Sequence, residues 1–153
     1  MSYLILLGIS MLPILELRGS LIYAAASAIP FYHALPIAIL GNMIPVPFIL
    51  FLFEKIMNFF SRRRFIGPLL QRFWNKAEEK AKKIGKYELL GVFLFVAIPF
   101  PGTGAWTGAL VATVLHLDRR RAIAAILAGV FTAGLIVSAL CYLLPDVFHT
   151  LFY

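Results

Sequence analysis

Two short stretches of the chain carry the groups that could do chemistry. The first is Glu16-Leu17-Arg18-Gly19-Ser20, whose two opposite charges sit between apolar runs. A charge at mid-membrane costs about 2.5 to 3.5 kcal/mol by insertion scales, so such groups need partners, water or a ligand. Arg18 suits an anionic group, and Glu16 suits uptake of a proton or another coupling ion. The alternative is an internal ion pair that fixes the hairpin. In an unbroken helix, residues two apart point in different directions and do not pair readily, whereas a break at Gly19 would free Arg18 to turn toward a cavity. The second stretch is Pro99-Phe100-Pro101-Gly102-Thr103-Gly104-Ala105-Trp106-Thr107-Gly108. It should open a short helix, where unpaired N–H groups and the helix dipole favour an anion at Gly102, Thr103, Gly104 and Ala105. Gly104 and Gly108 would equally allow close helix approach.

Asn42, beside Gly41, is an uncharged polar group inside an apolar run and can serve either substrate or structure. Trp106 can stack on substrate or anchor its hairpin. His33, His116 and His149 are scattered without metal-ligand spacing, and no metal site or cofactor is expected. No Lys follows Gly102-Thr103-Gly104, so the segment is not a nucleotide-phosphate loop. No Ser/His/Asp or Cys/His arrangement is recognisable, and the reading is not an enzyme. Cys141 has no partner for an internal disulfide and is expected to pack.

The elements that position these groups follow from hydropathy. The chain has 153 residues, 61% hydrophobic and 14% charged, with a mean hydropathy of +0.90. That is more apolar surface than a soluble domain of this length buries, so lipid is the expected solvent. The apolar run at the start ends in Ala24-Ala25-Ala26-Ser27-Ala28, but no basic residue precedes it and Glu16 and Arg18 interrupt it. Signal-peptide cleavage is therefore not expected. Tyr3 to Leu15 and Leu21 to Pro30 are each too short to span, which suggests a re-entrant hairpin. Pro36 to Phe60 is long enough to cross, kinked by Pro45 and Pro47. The pattern then recurs: Tyr87 to Ile98 and Ala109 to Leu117 form a second hairpin, and Ala122 to Leu144 a second crossing.

The fold class expected is therefore all-α integral membrane, with two inverted repeats (1–60 and 87–153), each a re-entrant helical hairpin plus one transmembrane helix. A cytoplasmic amphipathic helix over 61–86 joins them, with Leu69, Phe73, Ala77, Ala81 and Ile84 at helical spacing. Each repeat crosses an odd number of times, so consecutive repeats must be inverted within one membrane domain. The net charge of +7 agrees with this topology: Arg62, Arg63, Arg64, the lysines to Lys86, and Arg119 to Arg121 all fall on one side. The expected orientation is N-out and C-out, with the basic middle in the cytoplasm of a prokaryotic cell. The grouped charges do not form a nucleic-acid face.

Glu16-Leu17-Arg18-Gly19-Ser20, Gly41-Asn42 and the whole of Pro99 to Gly108 resemble the small multidrug export protein family over nearly the full chain. The doubled architecture is also similar to the DedA or VTT-domain superfamily, whose members move lipids between leaflets and in some cases recycle undecaprenyl phosphate. That resemblance implies roles for acidic and arginine residues at re-entrant tips, here Glu16 and Arg18, although the second tip of this chain carries no charge. The function expected is a secondary transporter or flippase for an anionic lipid such as a polyprenyl phosphate. Arg18, Asn42, Gly102 to Ala105 and Trp106 would bind substrate, Glu16 would couple to protons or sodium, and the protein would work as a homodimer. The alternatives are a cation or drug exporter with Glu16 as counter-charge, and a scaffold whose basic segment gathers anionic lipid.

Overall fold

In the computed structural model, residues 1–61, 68, 72, 75, 87–100 and 102–144 are described. Apart from Ser61, Pro68, Arg72 and Asn75, the expected amphipathic connector lies outside them. The described residues form helices and no strands. The elements are α1 (Ser2–Met11), α2 (Glu16–Ala26), α3 (Phe31–Met43), α4 (Pro45–Ser61), α5 (Glu88–Ala97), α6 (Ala105–Val114) and α7 (Arg119–Tyr142).

Leu, Ile, Phe and Ala fill these helices, and a helix satisfies its own backbone where no water can. Two helical stretches are long and apolar enough to cross a membrane: Phe31–Phe53, which runs through α3 into α4 past a bend at Ile44, and Arg119–Tyr142. At 1.5 Å per residue they reach roughly 35 Å, against a hydrocarbon core of about 30 Å. α1, α5 and α6 have 10 residues each and α2 has 11. They reach only about 15 Å.

The chain breaks earlier than Gly19. α1 stops at Met11, residues Leu12 to Leu15 form a turn, and Glu16 already opens α2. Pro13 explains this, because it cannot supply an N–H to a continuing helix. Gly19 sits inside α2, its N–H bonded to Leu15 O. The first crossing likewise starts sooner than Pro36, at Phe31 after Pro30, and Pro36 is held inside α3. The three arginines Arg119 to Arg121 form the first turn of α7 rather than preceding it. Asp118 caps that turn by accepting from the Arg121 N–H at 3.1 Å.

α1 and α2 pack on each other and on α3, and α2 also reaches α7. α5 and α6 pack on each other and on α7, while α6 also reaches α4. Two glycines let one helix come against the backbone of another. A methyl group on Gly41 of α3 would run into Ser10 and Leu7 O of α1, and one on Gly129 of α7 would run into Val96 and Phe93 O of α5. The buried core lies between these contacts and includes Leu6, Leu17, Leu21, Val96, Ile126 and Val130. The outer face keeps large apolar side chains exposed, among them Leu4, Phe48, Phe51 and Phe131. A water-soluble monomer seldom exposes so much apolar surface.

Candidate functional site

The two chain breaks meet. Each leaves unpaired carbonyls at the C-terminal end of a short helix and unpaired N–H groups at the start of the next, and each supplies a side chain to the other's loose end. The Arg18 guanidinium donates through Nη2 to Ile98 O at 3.1 Å and to Thr103 Oγ1 at 3.0 Å. Ile98 is the residue that caps the C-terminal end of α5, so a cation rests where the helix dipole is negative. In the other direction, Trp106 Nε1 donates to Met11 O at 3.1 Å, the carbonyl that ends α1.

Glu16 lies at the centre of this exchange and is only 6% exposed. Its Oε1 accepts from the Trp106 backbone N–H at 3.3 Å, in the first turn of α6. Its Oε2 faces Arg18 Nη1 at 3.5 Å. Residues two apart on a regular helix would not meet, but Glu16 has a φ of 49° and stands outside helical geometry at the head of α2. That left-handed conformation is uncommon for a residue with a Cβ, and here it turns the carboxylate toward its own arginine and toward α6. Gly104 completes the fit: a methyl group there would occupy the position of the Glu16 carboxylate itself.

Thr103 holds the second break in shape. Its hydroxyl lies 2.7 Å from Ile98 O and 2.8 Å from Phe100 O, and it accepts from the Phe100 N–H at 3.3 Å. Thr107 Oγ1 donates to Gly102 O at 2.8 Å, closing the turn into α6.

Asn42 comes to the same place from α3. It is 2% exposed, and its Oδ1 has no hydrogen-bond partner. The Arg18 Nε donor is likewise buried without a partner. Both residues, with Glu16, line a cavity of about 10 Å³, on the order of the volume one water needs. A larger and more open pocket of about 440 Å³ lies apart from the breaks, lined by Leu50, Thr113, His116, Leu117, Asp118, Arg119 and Arg120.

Of the residues expected from sequence, Glu16, Arg18, Asn42, Thr103, Gly104, Ala105 and Trp106 gather at this junction, while Gly102 is exposed and shapes the turn. Sequence reasoning missed Ile98 and Met11, which act through backbone carbonyls. The signal available for both was Pro99 and Pro13, each marking a helix end. His33 packs tilted against Tyr32 and edge-on against Tyr3, ring centroids 4.5 and 6.1 Å away, and takes no part. Cys141 packs against the core. Among the described residues no cluster of metal-ligating side chains occurs.

Compared with known families, residues 16–136 match the small multi-drug export protein family, a stretch that includes every residue at the junction except Met11. No curated protein and no solved structure matches.

Proposed function

The chain belongs to the small multi-drug export protein family, and on that premise we propose that it is a secondary exporter in which Glu16 is the coupling group and the junction of the two breaks is the moving part. A membrane location is supported by the family and by the two long apolar helices. The observation that carries the reading is the buried carboxylate of Glu16, shared between Arg18 of its own hairpin and the Trp106 N–H of the other. A carboxylate tied to both hairpins lets one binding event change how they are held together. Protonation, or arrival of a cationic substrate, weakens the tie to Arg18 and to the α6 amide together.

The architecture belongs to the same proposal: two inverted repeats, each a re-entrant hairpin and a crossing, with N-out and C-out orientation. Four backbone features support the doubling. Glu16 and Gly102 both have positive φ where one hairpin arm gives way to the next, and Ala28 and His116 both have φ near 50° where each second arm ends. Both second arms close with the same pair of bonds, Ala28 N–H to Ala25 O with Ile29 N–H to Ala24 O, and His116 N–H to Thr113 O with Leu117 N–H to Ala112 O. The spacing that carries Leu7 to Phe93 also carries Ser10 to Val96, the residues met by Gly41 and Gly129. The wider DedA or VTT kinship, prokaryotic origin and a homodimer remain part of the proposal. One chain brings both breaks together by itself, so a dimer is not needed to complete the junction.

The anionic-lipid reading, with a polyprenyl phosphate as cargo, is favoured by a separate observation. Arg18 and the first turn of α6 converge on a carboxylate, which a phosphate oxygen can replace, and the pocket beside Arg119 and Arg120 is basic and large enough for a headgroup. One experiment separates the two. In proteoliposomes with an imposed pH or sodium gradient, ethidium movement and flipping of a fluorescent polyprenyl phosphate are followed side by side. We expect Glu16→Gln to abolish gradient-driven ethidium export. Unchanged export in that variant overturns the role of Glu16, and lipid flipping without ethidium export replaces the first reading by the second.

A further inference from the structure

We propose that a single water is held between Arg18, Asn42 and Glu16, and that Asn42 is a positioning residue which, through this water, makes the proton rather than a metal cation the ion that Glu16 takes up. The inference rests on the reading of Glu16 as coupling group and names its ion.

Three facts converge on one small volume. Arg18 Nε is a buried donor without an acceptor, and Asn42 Oδ1 is a buried acceptor without a donor. Leaving either unmade is costly, because a buried polar group loses its hydration and gains nothing in return. Both residues line the cavity of about 10 Å³ that also touches Glu16. Buried waters typically make about three hydrogen bonds, and a cavity of this order holds one. A water there accepts from Arg18 Nε–H and donates its two hydrogens to Asn42 Oδ1 and the Glu16 carboxylate, satisfying both unpartnered atoms of the residues that line the cavity.

A metal cation does not fit the same set. It would coordinate the two oxygens but set a second positive centre against the guanidinium, and it would leave the Nε donor unpaired. The other groups lining the cavity are Leu17 from α2, Val96 from α5, Gly104 and Ala105 at the start of α6, and Val130 and Ala133 from α7, none of them titratable. Arg18 is therefore the one charged group that faces Glu16 among the described lining residues. A proton on Glu16 needs no added ligand: it neutralises the carboxylate, and the water turns to accept from the new carboxyl O–H while still accepting from Arg18 Nε–H and donating to Asn42 Oδ1.

The test is infrared difference spectroscopy of the purified full chain in lipid, following the protonated carboxyl band of Glu16, assigned by its absence in Glu16→Gln. We expect the carboxyl band to titrate with pH, and a separate O–H stretching band of the held water, appearing with it, to shift in ¹⁸O-labelled water. The carboxyl band should not respond to sodium chloride substituted for choline chloride at fixed pH. Asn42→Leu should move the titration midpoint by about one pH unit or more. Asn42→Ser, which keeps a hydroxyl acceptor, should restore most of that shift and serves if the leucine variant does not fold. Sodium-dependent loss of the band, or binding of radioactive sodium that disappears in Asn42→Leu, overturns the proposal in favour of a cation site. A midpoint unmoved in both Asn42 variants overturns it as well. Failure of the export reading is distinguishable: there the spectroscopic titration persists while Glu16→Gln exports ethidium normally.

Discussion

The first break and the second are alike in backbone and unlike in chemistry. Both end a helix of 10 residues, both contain one residue in the left-handed region, and both lead into a short second arm. The first compresses this into Leu12 to Leu15 and puts its charges on Glu16 and Arg18 at the head of α2. The second is longer and offers amides, carbonyls and the Thr103 hydroxyl, with a glycine at the left-handed position. One break is therefore the ionic half of the junction and the other is its receptacle. The division explains why Glu16 tolerates a φ that glycine occupies across the way. The strain of a Cβ there is offset by a carboxylate that meets both Arg18 and α6.

The sharpest way to break this comparison is to remove the ionic half's reach. Arg18→Met deletes the donors to Ile98 and Thr103 and leaves the Glu16 carboxylate buried without its counter-charge. Breaking such a pair costs about 3 kcal/mol or more when one partner is removed. Arg18→Lys should recover less than half, since the guanidinium meets Ile98 O and Thr103 Oγ1 through Nη2 and Glu16 Oε2 through Nη1, whereas an ammonium has a single nitrogen to place. Equilibrium unfolding in detergent titrated with denaturant measures both. Equal stabilities of wild type and Arg18→Met would mean that the breaks are not held together through this side chain.

A smaller effect is expected from the receptacle. Gly104→Ala places a methyl group where the Glu16 carboxylate sits, and overpacking of this kind costs about 1 to 3 kcal/mol. Gly8→Ala, on α1 where nothing lies within 4 Å of an added Cβ, is the control and should not destabilise. If Gly104→Ala is the more stable of the two, the close seating of Glu16 against the second break is wrong.

Much of this junction was legible in sequence, and the parts that were not share a cause. The lengths of the apolar runs and the interruptions between them indicate two hairpins with arms too short to span and two longer runs, and the residue types single out Glu16, Arg18, Asn42 and Trp106. The position of the first break was read too late in the chain because Gly19 attracted it, whereas the turn is made by Pro13 and a left-handed glutamate. No propensity assigns that conformation to glutamate; it exists because the second break is there to receive the carboxylate. The pairing of Arg18 with Glu16 is only the alternative reading in sequence for the same reason, since helical geometry at Glu16 would keep the two side chains apart. The carbonyls of Ile98 and Met11 carry no side-chain signature, and only the contact between hairpins distant in sequence makes them acceptors.

The smallest of the expected effects bears on whether the exchange between breaks is truly reciprocal. Trp106→Phe keeps the ring's bulk and removes only the Nε1–H donor to Met11 O. A neutral hydrogen bond of this kind contributes about 1 kcal/mol, and the carbonyl that loses it ends α1, where other donors are few. The variant should therefore lose about that much stability, and its effect should shrink when combined with Arg18→Met. The two contacts clamp the same pair of hairpins from opposite ends, and residues that act on one interface are not additive. Strict additivity in the double variant would show that the hairpins are held by two independent contacts. The junction would then be a rigid support, and movement of the hairpins during export would have to arise elsewhere.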